Sequence, residues 1–260
     1  EVVGRLAYLE ARCVSDADRA PFQAWVRSLF AGAGAELGWD PKPDEPDDRR
    51  LQRAAVLRAL ALIARDPEAI REAQQRLRAH LSGSPRALDP NLLDIAVAAA
   101  ARNADGKLFE ELLERAKVEL DPAAKRRYLH ALAMVEHPEL QQRAVALALS
   151  DAVPMQDFAS YLATLLANRH TREPTWQLMQ QRWDEVRKKG DSPMILRRLV
   201  EALGHLPDRE HLAQVEAFLA AHPIDGAKQA VAQTLERLRA DVALRERLMP
   251  QLSAFLRRSS

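Results

Sequence analysis

The chain has 260 residues, with 38 Lys and Arg against 37 Asp and Glu, a formal net charge of +1, 47% hydrophobic residues and 5% aromatics. That balance excludes a disordered chain and offers no basic footprint for nucleic acid, and no apolar run is long enough to cross a membrane as a helix. Ala, Leu, Arg, Glu and Gln, all strong helix formers, dominate a chain large enough to bury a sizeable core, as one elongated solenoid or two joined lobes.

In chain order, Glu1 to Glu10 reads as an amphipathic helix carrying Val2, Val3, Leu6 and Leu9. It opens with neither a methionine nor a capping sequence, which suggests a piece of a longer polypeptide. Cys13, the single cysteine, has no CxxC companion and is expected as a small buried apolar residue, so the compartment stays open between cytoplasm and periplasm. A second helix is expected from about Ala17 to Leu37, with Phe22, Trp25, Val26, Leu29 and Phe30 on its apolar face, ending at Gly38. The stretch from Asp40 to Asp48, with three prolines among its acids, is too proline-rich for helix and reads as a surface excursion.

Pro or Gly then recurs every sixteen residues, at Pro90, Gly106, Pro122, Pro138 and Pro154, each followed by a helical apolar pattern. Pro in the first turn of a helix forfeits no hydrogen bond, and Asp89, Asp105 and Asp121 stand just before three of these marks as N-caps. Two such units make a helical hairpin of repeat-module size. The apolar stripes Leu57, Leu60, Ala61 and Ala64; Leu108, Phe109, Leu112, Leu113 and Ala116; Tyr128, Leu129, Leu132 and Val135; and Phe158, Leu162, Leu165 and Leu166 each need a neighbour. Beyond Pro154 the metre relaxes, with starts near Pro174, Pro193 and Asp208, and Gly226 precedes a last helix carrying Val231, Leu235, Leu238 and Val242. No strand-like alternation occurs, and the Trp-Leu-Gly-Tyr pattern of tetratricopeptide repeats is missing. The expected fold is all-α, an α-α superhelix or HEAT-like solenoid of antiparallel hairpins curved into a bowl. It is expected as a single domain over 1–260 with a surface loop near 40–48.

The sequence holds little chemistry of its own. None of the seven histidines is followed by Glu or paired at i, i+4, so the HExxH helix of a zinc peptidase is missing, as are a GxSxG elbow, a Walker A loop and a dinucleotide glycine fingerprint. No catalytic residue and no metal ligand is assigned to this chain. Arg126 and Arg127 near a helix start read as solvated cations, and Trp176 and Trp183, seven apart, read as core residues on one helical face.

One stretch is richer than a solenoid requires: Asn168-Arg169-His170-Thr171-Arg172, leading on to Trp176 and Trp183. It resembles the C-terminal helical domain of M1-family zinc aminopeptidases, in which an Asn-Pro-x-Gly-Arg turn leads into a helix with Trp, Phe and Asn-Trp. Asn168, Arg172, Trp176 and Trp183 fall on that pattern; Arg169, Thr171 and Arg182 replace its Pro, Gly and Asn. Leu37-Gly38-Trp39, Leu88-Asp89-Pro90, Tyr128 to Ala133, Gln156-Asp157, Val215 with Phe218, and Gln233 with Glu236 extend the resemblance over essentially the whole chain.

The resemblance implies that this domain closes over an upstream catalytic domain of the same polypeptide, walling off a chamber in which peptides lose their N-terminal residue. It implies zinc and the HExxH glutamate upstream, no cofactor here, peptide substrates, and no nucleic-acid or membrane partner. The chain alone is then expected to be inactive. Asn168, Arg169, His170 and Arg172 become the candidates for substrate or interdomain contact. The alternative is a non-catalytic HEAT-like scaffold holding a partner protein on its concave face.

Overall fold

A computed structural model describes residues 1–84, 88–224 and 226–259, and among these the chain is all-α with no strand. The helices are α1 Val2–Arg12, α2 Arg19–Leu37, α3 Asp47–Arg58, α4 Pro67–Leu81, α5 Pro90–Arg102, α6 Gly106–Val118, α7 Pro122–Leu132 and α8 Pro138–Leu147. They continue as α9 Met155–Ala167, α10 Arg172–Gln181, α11 Trp183–Lys189, α12 Pro193–Ala202, α13 Arg209–Ala221 and α14 Lys228–Ser259.

The sequence punctuation sets most of these ends. Asp66, Asp105, Asp121 and Asp208 each accept a backbone N–H in the first turn, from Ala69, Leu108, Ala124 and His211 at 2.8 to 3.0 Å. Asp89 does the same for Asn91 at 2.8 Å. Each cap satisfies one of the donors a helix start leaves over, typically worth about 1 kcal/mol. Two expected starts shift. Pro154 is the extended residue before α9 rather than its first residue, and Pro174 lies inside the first turn of α10, where its missing N–H has no partner to lose.

The described residues divide into two compact units. The first holds residues 1–100 and 246–260. Its apolar cluster joins Leu6, Val14, Phe22, Val26, Ile63, Ala64 and Leu256, with Trp25 set edge-on to Phe255 at 5.3 Å. Burying such side chains yields about 1.5–3 kcal/mol each, which is what closes the last turns of α14 onto α1 and α2. Cys13 is buried in this unit, as its spacing suggested. Leu29, expected on the apolar face of α2, is instead 52% exposed. Periodicity marks which face is apolar, but not where along it the packing neighbour stops.

Two parts of this unit depart from simple helix. Ala59–Ile63 forms a π-helical turn, all five residues buried, and Arg65 follows with φ of 52° before Asp66 caps α4. A Cβ on Gly34 would stand 2.4 Å from Leu60 Cδ1, so glycine there lets α2 approach this turn closely. The stretch from Asp40 to Asp48 is exposed as expected except at Glu45, and its end, Asp47 and Asp48, already belongs to the first turn of α3, where acids suit the helix dipole.

The second unit holds residues 101–245. Phe109, Leu112, Leu132, Phe158, Leu162, Leu165, Trp176, Leu199 and Leu238 are fully buried in it. The Tyr161 hydroxyl, equally buried, donates to the Ala144 carbonyl at 2.9 Å, so no polar group is stranded there.

Candidate functional site

The turn Asn168 to Thr171 joins α9 to α10, and most of its polar atoms are committed to holding that junction. Asn168 Nδ2 donates to the carbonyls of Ala133 at 3.1 Å and Val135 at 2.8 Å, just beyond α7, while its Oδ1 accepts the His170 N–H at 3.0 Å. Arg172 Nε donates to Leu166 O at 2.9 Å and its Nη2 to Ala167 O at 3.3 Å. The buried Thr171 hydroxyl donates to Leu165 O at 2.8 Å. Three consecutive carbonyls at the end of α9, which the helix itself cannot pair, are thus satisfied by side chains of the turn.

This geometry accounts for Thr171 where the resembled pattern has Gly. The residue has φ of −108°, which any side chain adopts, and its hydroxyl does capping work that a glycine could not. The four expected residues therefore divide by role. Asn168 and Arg172 build the turn. Arg169 is exposed, and the half-buried His170 places Nε2 3.9 Å from Glu136 Oε2, a carboxylate that also stands 3.8 Å from Arg102 Nε.

A second polar row crosses from α7 to α9. Arg126 Nε donates to Asp157 Oδ1 at 2.8 Å, and His130 Nε2 lies 3.1 Å from Ser160 Oγ. Both pairs ascend in the same direction along their helices, so α7 and α9 run parallel. The Ser160 hydroxyl donates its single proton to the Asp157 carbonyl at 2.9 Å, which makes His130 Nε2 the donor toward Ser160. That is the wrong way round for a nucleophile and its base. Burial, assisted by the Arg126 charge and opposed by Asp157, holds the His130 pKa below its usual value. Arg126 remains 56% exposed while Asp157 is buried, so the row presents one cation to solvent and hides its anion.

Trp176 and Trp183 are core residues, as expected, but not on a single helix face: the chain breaks at Arg182, between α10 and α11. They converge on Phe218 of α13, each ring nearly perpendicular to it with centroids 5.2 and 5.1 Å apart. Trp176 Nε1 donates to Gln214 Oε1 at 2.6 Å. The first unit holds a separate cavity of about 600 Å³ between α2 and α4, floored by Leu57 and Leu60 and walled by Trp39.

Among the described residues no three His, Cys, Asp or Glu side chains come together to hold a metal ion. Nor, among them, is any helix long and apolar enough to cross a membrane.

Set beside known proteins, residues 1–240 match the family model described as the ERAP1-like C-terminal domain. The chain belongs to this family. As a member of the ERAP1-like C-terminal domain family it has relatives among curated aminopeptidases. It is 28% identical to Aminopeptidase M1 of Arabidopsis thaliana over 90% of this chain and 27% of that protein. It is 25% identical to Aminopeptidase 2 of Candida albicans over 91% of this chain and 26% of that protein. It is 25% identical to the alanine/arginine aminopeptidase of Saccharomyces cerevisiae, over 79% and 24% respectively. The chain thus spans about a quarter of the length of these relatives.

Sequence reasoning missed the α7–α9 row, although its spacing was available. Arg126 and His130 stand at i, i+4, and Asp157 and Ser160 at i, i+3, which puts each pair on one helix face. It also missed His211, whose two ring nitrogens both meet carboxylates.

Proposed function

We propose that this chain is the C-terminal domain of an M1-family zinc aminopeptidase, a polypeptide that removes N-terminal residues from peptides. The family match across residues 1–240, combined with relatives named aminopeptidases of which the matched region is about a quarter, carries this reading. The zinc and the residues that cut the peptide would belong to the catalytic domain upstream in the same polypeptide. This chain would cap the catalytic chamber, limiting which peptides enter and excluding water around them. Within it, the turn from Asn168 to Arg172 would meet peptide or catalytic domain through Arg169 and His170, with Asn168 and Arg172 fixing the backbone that presents them.

The test is to purify the polypeptide encoded by the complete gene, and separately the 260-residue chain, and to assay both for bound zinc and for hydrolysis of aminoacyl p-nitroanilides. The expected result is one zinc and activity in the former, and neither in the latter. A complete polypeptide with no zinc and no hydrolysis would replace this reading with that of a protein-binding scaffold.

A further inference from the structure

His211, in the first turn of α13, is held between two carboxylates from different helices. Its Nδ1 lies 2.9 Å from Asp208 Oδ1 and its Nε2 lies 3.2 Å from Glu173 Oε2 of α10. Asp208 Oδ1 also accepts the His211 backbone N–H at 3.0 Å. A neutral imidazole carries one N–H and one lone pair, so it can donate to only one of these oxygens and must turn a lone pair toward the other. Only the imidazolium satisfies both contacts.

We propose that protonation of His211 is a switch that fastens the first turn of α10 to α13. The two contacts differ in what keeps them. Asp208 is three residues away and is held as the N-cap of the helix on which His211 sits, whereas Glu173 is thirty-eight positions away and reaches His211 only through tertiary packing. A neutral ring keeps its proton on Nδ1 toward Asp208 and meets Glu173 with the bare Nε2, so Glu173 is the partner released. Burial acts to raise the Asp208 pKa, but the backbone and ring N–H groups of His211 and the charge of Arg245 outweigh it and leave the carboxyl below its usual range. Asp208 is therefore held as an anion.

The surrounding charges are Glu173 on α10, Asp208 and the exposed Arg209 and Glu210 at the start of α13, and Arg245 on α14. Gln177 Nε2 donates to Glu173 Oε1 at 2.9 Å, and Gln214 links Trp176 to Glu210. Release of Glu173 leaves the Trp176 contacts in place. The part loosened is thus the tie between the first turn of α10 and α13; Arg172 keeps its bonds to the Leu166 and Ala167 carbonyls, and the second half of the helix stays pinned by its tryptophan.

The test pairs the ring nitrogens' 15N chemical shifts, which report how many carry protons, with amide hydrogen exchange at Arg172, Glu173 and Thr175, corrected for intrinsic pH dependence. In the wild-type chain, corrected exchange is expected to rise roughly fivefold when one ring nitrogen loses its proton, the factor an exposed ion pair supports. In Glu173→Gln, which removes the charge and leaves a single acceptor oxygen, and in His211→Gln, the rise should be absent. Wild-type rates that do not change between the two imidazole states would overturn the switch, as would the same rise persisting in Glu173→Gln.

Discussion

Arg53 grips Glu45 with both terminal guanidinium nitrogens, Nη1 in a short contact and Nη2 at 2.7 Å, while its Nε donates to the Leu37 carbonyl at 3.1 Å. Both side chains are buried, with 1% and 3% exposure. The proline-rich loop that looks like a free excursion is therefore stapled at its far end to α3. A second staple fixes its near end: Arg76 takes both Asp40 oxygens at 2.7 Å and lies over the Trp39 ring.

Removing one partner of a buried, well-bonded pair leaves an uncompensated charge. Arg53→Ala is expected to destabilise by about 3–5 kcal/mol in urea unfolding. The double substitution Arg53→Met with Glu45→Leu should recover most of that loss, since neither charge is then buried. Equal losses in the single and double variants would show that the ion pair is not what holds the loop. The hydrogen bonds from Arg53 hold the Glu45 carboxyl below its usual range despite burial. Its contribution is accordingly present above the unfolded-chain value and disappears as pH falls through the folded value.

Trp176 and Trp183 should respond in opposite ways to loss of the indole N–H. Trp176→Phe strands the Gln214 carbonyl that Nε1 now serves, whereas Trp183 Nε1 is buried and has no acceptor among the described residues. Allowing for the similar loss of ring area, Trp176→Phe is expected to cost about 1–2 kcal/mol more than Trp183→Phe. Chemical denaturation of the two variants side by side reads this difference directly, and the reverse order would mean Trp183 holds an acceptor in solution.

His130 gives the fold a dependence on acid. Its pKa is lowered from the ordinary value of 6.5, chiefly by burial, so the folded chain keeps the ring neutral where the unfolded chain protonates it. The His130 contribution is complete above that ordinary value and is lost as pH falls from it toward the folded value, at no more than about 1.4 kcal/mol per pH unit. Urea midpoints measured from pH 7.5 downward should fall more steeply for wild type than for His130→Gln. Superimposable pH profiles would remove His130 from this role.

The turn offers a division of labour that kinetics and stability can separate. Asn168→Ala forfeits two carbonyl partners and the bond from the His170 N–H, and is expected to destabilise by about 2 kcal/mol. Arg169→Ala alone should shift stability by no more than about 0.5 kcal/mol, as exposed substitutions do, and Arg169→Ala with His170→Ala removes both side chains that the turn presents. In the complete aminopeptidase proposed above, that double variant should raise KM for longer peptides and leave short aminoacyl amides nearly unchanged. Unchanged KM on both substrate lengths would take the turn out of the contact surface.

How much of this was legible beforehand depends on how local each cause is. Asp105 before Gly106 and Asp121 before Pro122 carry their helix starts within four residues, because a cap bonds its own first turn. The apolar stripes of α6, α7 and α9 likewise identified their buried faces, and the tryptophans were read as core. The same reasoning could not detect the break at Arg182, which turns one expected helix into two.

The sequence by itself determined the all-α class, most helix boundaries, the burial of Trp176, Trp183 and Cys13, and the resemblance that the family match bears out, since short-range hydrogen bonding and side-chain period are written in neighbouring residues. Only the tertiary structure decided that Arg126 meets Asp157, that Glu45 is buried against Arg53, and that His211 reaches Glu173. These pairings depend on the register and approach of helices, and a displacement of one turn, about 5.4 Å, would give each side chain a different partner.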